Sequence, residues 1–161
     1  MSSTPDAIFA DIETLIPHRQ PHRHVSRITS VDGLKAVAEG DFVPEDVSGH
    51  FPGRPIIPGV VMIEALAQTL CALATLSGEH GQMVLTGIEK ARFRGMASPP
   101  CTLRFEVEVT ERRLGLTWAK GRVLRGNDVV CSATLQAAIV AEELVQAAMS
   151  AADPSPGAVT G

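Results

Sequence analysis

The rhythm of apolar and polar positions changes several times along this chain, and each change marks an element. Ile8, Phe9, Ile12, Leu15 and Ile16 recur at helical spacing behind Thr4-Pro5-Asp6, a helix start with a capping hydroxyl, a proline and an early acid. Pro17 ends that stripe. Residues 24–31 and 34–42 roughly alternate on either side of Asp32-Gly33, which predicts a hairpin. Residues 44–58 hold four prolines and read as a long, stiff loop of the kind that carries function. Residues 60–76 are then apolar on nearly every side, interrupted by Glu64 and Gln68, and predict a buried helix.

After the turn Ser77-Gly78-Glu79-His80-Gly81, the alternation returns in segments 82–94, 102–112, 116–125 and 129–140, four predicted strands. From Ala141 the chain is Ala-rich and from Asp153 it is rich in Pro, Gly and Ala, which predicts a short frayed helix and then a disordered tail. The division expected is one domain over residues 1–145 and a tail over 146–161. A helix apolar all round must be enclosed, and the strands are the only large surface available. The expected class is therefore α+β, an antiparallel sheet curled around one long central helix.

Composition narrows the setting. With 161 residues, 45% hydrophobic and 20% charged, the chain suits a single soluble globular domain. A net charge of −4 argues against a general nucleic-acid binder while leaving room for a local basic patch. Cys71, Cys101 and Cys131 are odd in number and widely spaced, which reads as reduced thiols in the cytoplasm. The start of the chain lacks the basic and apolar regions of a signal peptide, and the apolar run is short for a membrane span.

Candidate chemistry concentrates around the central helix. Glu64 and Gln68, four residues apart, share a face, with Cys71 and Thr75 close to the same line. Burying a carboxylate is costly and tends to keep it protonated, so Glu64 is expected to be a poised acid that Gln68 orients. His50 lies between Gly49 and Phe51-Pro52-Gly53, on backbone suited to holding one side chain rigidly. Imidazole suits proton transfer near neutral pH. Gly59 at the helix N-terminus offers a free N–H, and such termini stabilise negative charge. A base, an acid and an oxyanion-type donor in one short segment suit proton abstraction next to a carbonyl.

These residues carry a resemblance. Gly49-His50-Phe51-Pro52-Gly53-Arg54-Pro55, Pro58-Gly59-Val60 and Glu64-Ala65-Leu66-Ala67-Gln68 resemble the signature of bacterial 3-hydroxyacyl-acyl-carrier-protein dehydratases of the hot-dog fold. Leu15-Ile16-Pro17-His18-Arg19, Gly87-Ile88-Glu89-Lys90-Ala91-Arg92-Phe93 and Val130-Cys131-Ser132-Ala133-Thr134 agree with it, so the similarity spans roughly residues 11–140. The resemblance implies a sheet wrapped around a helix, pairing of two protomers through their sheets, and sites that combine the histidine of one with the acid of the other. It implies His50 as the base at the α-carbon and Glu64 as the acid that helps the 3-hydroxyl leave. Gly59 would polarise the thioester carbonyl and Gln68 orient Glu64, with Phe51, Pro58 and Val60 beside the substrate. Acyl carrier protein is the implied partner, in fatty-acid or polyketide synthesis, the substrate riding on a phosphopantetheine arm. A homodimer or trimer of dimers is implied, with no metal or redox cofactor.

The related dehydratase/isomerase branch usually has Asp at the position of Glu64. The chain departs from the family pattern in its polar stretch Gln20-Pro21-His22-Arg23-His24-Val25-Ser26-Arg27, after Phe93, and in having no tyrosine. Plainer readings remain for other residues. His22 and His24 would share a strand face but lack the further ligands of a metal site. His18 reads as an anchor of the N-terminal segment, His80 as a solvated turn residue and Cys71 as packing. Lys90, Arg92 and Arg94 are either a solvated charge row or a docking patch for an acidic carrier protein, which Arg112, Arg113, Arg122 and Arg125 would extend. The rival functions are an acyl thioesterase and a non-catalytic acyl-binding or structural subunit of a dehydratase heteromer.

Overall fold

Strand β4 (Cys101–Arg113) shows why a sheet forms here. Leu103, Phe105, Val107 and Val109 point inward and are buried, while Arg104, Glu106, Glu108 and Thr110 point outward. A computed structural model describes residues 11–152. Within them the elements run α1 (Ile12–Leu15), β1 (Arg27–Asp32), β2 (Lys35–Phe42), a 3₁₀ turn (Pro44–Val47), α2 (Gly59–Leu76), β3 (Gln82–Phe93), β4, β5 (Leu116–Arg125), β6 (Asp128–Val140) and α3 (Glu142–Ala152). All neighbouring strands are antiparallel and form one sheet in the order β1-β2-β4-β5-β6-β3. Helix α2 packs against all six strands and against α1. This is the hot-dog arrangement.

The sheet closes tightly on the helix because small residues sit where the two meet. Gly121 of β5 leaves room for the Leu66 side chain, and Ala36, Ala38, Ala119, Ala133 and Ala137 are buried on the same inner face. Met62, Leu66, Leu70 and Leu73 fill the space between, each at most 2% exposed. Although α2 is apolar enough and, at 18 residues, long enough to cross a bilayer, it is the core of this domain.

Several boundaries differ from those the alternation suggests. The strand expected from residue 24 begins at Arg27, because the His22 carbonyl and His24 N–H are engaged by the Gln68 side chain rather than by a ladder. The hairpin loop is Gly33-Leu34, with Asp32 paired to Lys35 and Gly33 in the left-handed region at φ +57°. In the proline-rich loop, Asp46 accepts a bond from the Val43 N–H and closes the 3₁₀ turn. Helix α3 extends to Ala152, so residues 146–152, read from sequence as tail, are helical; alanine is the strongest helix former and carries the element through. No residue of α3 is buried. The remainder of that tail, residues 153–161, and the helix start at Thr4 lie outside the described residues.

Candidate active site

His50 is held by its own loop. Its N–H donates to the Val47 carbonyl at 2.9 Å, and its carbonyl accepts from Ile56 at 2.7 Å. One step further in, Phe51 and Arg54 exchange both backbone bonds across a turn that Gly53 closes at φ +75°. The imidazole Nδ1 lies 2.8 Å from the Ile56 carbonyl, so Nδ1 carries the proton and donates it there. Nε2 is left with its lone pair, the form a base needs. The Phe51 ring stacks on the imidazole at 4.3 Å between centroids.

Helix α2 begins beside this loop. Pro58 occupies the cap position without a side-chain bond, and the N–H groups of Gly59 and Val60 have no acceptor among the described residues. Gly59 cannot be another residue without movement, since a Cβ there would lie 2.5 Å from Cε1 of Phe93. The ring of Phe93 thus lies directly against the side of Gly59 where a side chain would stand. Phe51, Val60 and Phe93 all expose apolar surface near this end of the helix.

One and a half turns on, Glu64 meets a fully buried partner. Gln68 Nε2 donates to Glu64 Oε1 at 3.0 Å and to the His22 carbonyl at 2.7 Å, and Gln68 Oε1 accepts the His24 N–H at 2.9 Å. Only one orientation of the amide makes all three bonds, so its direction is fixed. His18 Nε2 also approaches Glu64 Oε1, at 3.3 Å. Glu64 opens onto a cavity of about 60 Å³ lined by His18, Ala67, Leu70, Cys71, Met83, Leu85 and Ala137.

The expectation of a shielded, protonated Glu64 is corrected here. Its side chain is 40% exposed, and its carboxyl is held below the usual range, first by His18, against the opposing effect of burial, and then by Gln68. Burial dominates elsewhere in the cluster: it pushes His24 down, with Glu64 pulling the other way, and pushes Cys71 up to about 11. Cys71 lines the cavity as a thiol, consistent with packing.

Within one chain the structure groups Glu64, Gln68 and His18, while His50 does not line the Glu64 cavity. His18 was missed as a site residue because its contact depends on how the segment after Pro17 folds back onto α2, which no local pattern encodes. On the opposite face of the sheet, Lys90, Arg92 and Arg94 line a groove of about 700 Å³ together with Lys35, Lys120 and Arg122. Its carboxylates, Glu106 and Glu108, pair with Arg122 and Lys35. Of the other arginines expected to extend this patch, Arg112 pairs with Glu79, Arg113 with Glu111, and Arg125 donates to the Met96 carbonyl. None of those three lines the groove.

Comparison with known proteins agrees with this fold. A family model described as a FabA-like domain matches residues 16–134. A 3-hydroxyacyl-[acyl-carrier-protein] dehydratase FabZ of Alkaliphilus metalliredigens is 38% identical over 135 residues, covering 81% of this chain and 92% of the relative. Its counterpart in Chloroflexus aggregans is 40% identical over 134 residues, covering 80% and 93%. Among solved structures, the dehydratase heterocomplex ApeI:P of Xenorhabdus doucetiae matches with a TM-score of 0.74 at 15% identity, over 87% of this chain and 98% of the other, a likeness of fold alone. The matched span contains His50, Gly59, Glu64 and Gln68, and this chain belongs to the FabA-like domain family.

Proposed function

We propose that this chain dehydrates 3-hydroxyacyl thioesters carried on acyl carrier protein to trans-2-enoyl thioesters in fatty-acid biosynthesis, in the cytoplasm. The observation that carries the reading is the presence of both a histidine preset as a base and a carboxylate fixed by a buried amide in a chain that aligns with dehydratases over most of its length. His50 Nε2 takes the α-proton. The negative charge that develops on the thioester oxygen is met by the free N–H groups of Gly59 and Val60 and by the positive end of α2. The bond from Cβ to the 3-hydroxyl breaks as the small fraction of Glu64 that holds a proton gives it to that oxygen, and water leaves. His50 ends protonated and Glu64 ionised, and both return to their starting states by exchange with solvent. The scheme needs only side chains and backbone, with Phe51 and Pro58 beside the substrate.

Two copies of the chain complete each site in this reading. His50 is absent from the cavity of its own Glu64, and β3 is an edge strand twelve residues long with Val84 and Ile88 exposed. Pairing β3 with β3 of a second copy would cover that edge and bring a second His50 to the cavity. The carrier protein, acidic and bearing the substrate on its phosphopantetheine arm, docks on the groove of Lys90, Arg92 and Arg94, where complementary charge speeds encounter.

Purified protein given a 3-hydroxyacyl carrier-protein substrate should form the enoyl product, read by mass or by absorbance of the conjugated thioester. His50→Ala and Glu64→Gln should each lower turnover by about 10²–10⁴-fold with the fold intact. Mixing the two inactive variants and allowing subunit exchange should restore roughly a quarter of wild-type activity, since half the dimers then carry one intact site of two. Absence of product from the wild type ends the reading, and absence of restoration ends its two-copy form.

A further inference from the structure

The two oxygens of Glu64 are treated differently. Oε1 receives the Gln68 amide at 3.0 Å and faces His18 Nε2 at 3.3 Å, while Oε2 has no partner among the described residues. We infer that His18 is a positioning residue: with Gln68 it holds Oε1 of Glu64 in place and leaves Oε2 as the single oxygen that exchanges a proton with the substrate's 3-hydroxyl. This deepens the dehydratase reading and rests on it for the identity of the substrate.

The geometry around His18 favours that role over a merely structural one. His18 Nδ1 is buried without a hydrogen-bond partner. A proton on Nδ1 would have no acceptor, so the proton sits on Nε2, the nitrogen 3.3 Å from the carboxyl. Nothing else in the described residues bonds the ring; Glu64 is its one polar partner. The backbone that carries it is fixed separately, by Arg19, which donates to the carbonyls of Glu13, Ile16 and His18 at 3.0, 2.9 and 2.8 Å. Arg19 thus does the anchoring, and the imidazole is free to serve the carboxyl.

The clamp also makes chemical sense. Donors on Oε1 stabilise the carboxylate that forms when Oε2 gives up its proton, and in the reverse direction they keep Oε2 oriented as the acceptor from attacking water. The other titratable groups around Glu64 are His24, from the same segment as His18, and Cys71 on its own helix; β3 and β6 contribute only Met83, Leu85 and Ala137 to the cavity. His18 is the group nearest the carboxyl among them, which agrees with its being the first cause that holds Glu64 below the usual carboxyl range.

The test is the pH profile of kcat/KM for the full chain with carrier-bound substrate, together with kcat and KM separately. The lower of the two essential ionisations sets the acid limb whichever protonation state reacts, and that group is Glu64. In His18→Ala, kcat should fall on the order of tenfold with KM little changed, and the acid limb should move to higher pH. His18→Gln places an amide donor at similar reach and should recover part of kcat. A His18→Ala enzyme with wild-type kcat, or with an unmoved acid limb, overturns the proposal; should that variant not fold, His18→Leu, which fills the space without a donor, overturns it by the same two results. A carbon-13 titration of the Glu64 carboxyl needs no turnover. If the wild type forms no enoyl product, the dehydratase reading fails by itself, and a carboxyl that titrates at one pH in wild type and in His18→Ala overturns the clamp.

Discussion

Replacing Gln68 by Ala tests how much of the fold and the site hangs on one side chain. Gln68 is fully buried and makes three bonds, two of them to backbone groups of the segment that precedes β1. Its removal strands the His22 carbonyl and the His24 N–H, each of which costs about 1–3 kcal/mol if left without a partner. Both groups are part-buried, so water entering the vacated space offsets some of this, and the low end applies to each. With the lost packing of the side chain, the total is about 3 kcal/mol, or roughly 10 °C in Tm for a domain of this size. Urea unfolding followed by circular dichroism measures the first figure and a thermal scan the second. Turnover should fall as well, since Glu64 loses a donor. A loss of stability below about 1 kcal/mol would refute the reasoning, because it would mean that the segment around His22–His24 holds its place without Gln68.

Gly40→Ala should cost about 3 kcal/mol and Gly59→Ala about 1, compared by urea midpoints. A Cβ at Gly40 meets the His24 carbonyl and the buried Phe105 ring, whereas the one at Gly59 meets Phe93, a residue 54% exposed and so with room to move aside. Asp41 is held below the usual carboxyl range by Arg27 and then by Thr102, so its contribution to stability is present above the unfolded carboxyl value and is lost as pH falls through the folded one. Asp41→Asn should therefore flatten the decline of the urea midpoint below about pH 4. Burial raises the thiols of Cys71 and Cys131 to about 11, so both should resist alkylation at pH 8 in the folded protein and react at once in denaturant. Rapid native labelling of either would show that its part of the core opens readily.

The sheet and the central helix were legible because each buries one face or all of itself, and the alternation in segments such as Leu103 to Val109 admits one reading. Glu64 and Gln68 were legible as a pair because one helical turn separates them. What local pattern could not show is what distant segments do to each other. The strand start moved from residue 24 to Arg27 because a side chain from α2 competes for its backbone groups. Glu64 read as shielded because its helix neighbours are apolar, yet the cavity beside it and the imidazole of His18 come from elsewhere in the chain. Lys35 and Lys120 joined the basic groove through strand register, where Lys35 and Lys120 both stand opposite Glu108 on β4. Patterning reports which face a residue is on; it does not report which residues arrive to share that face.

The two margins of the sheet are built differently. At one end β1 is six residues long, while at the other β3 runs twelve, with irregularities on both strands. A short margin is a poor template for further strands. Growth by edge addition therefore has one long side available, and the symmetric union proposed above would use it up, so that the ribbon would terminate at a pair instead of extending into a fibre.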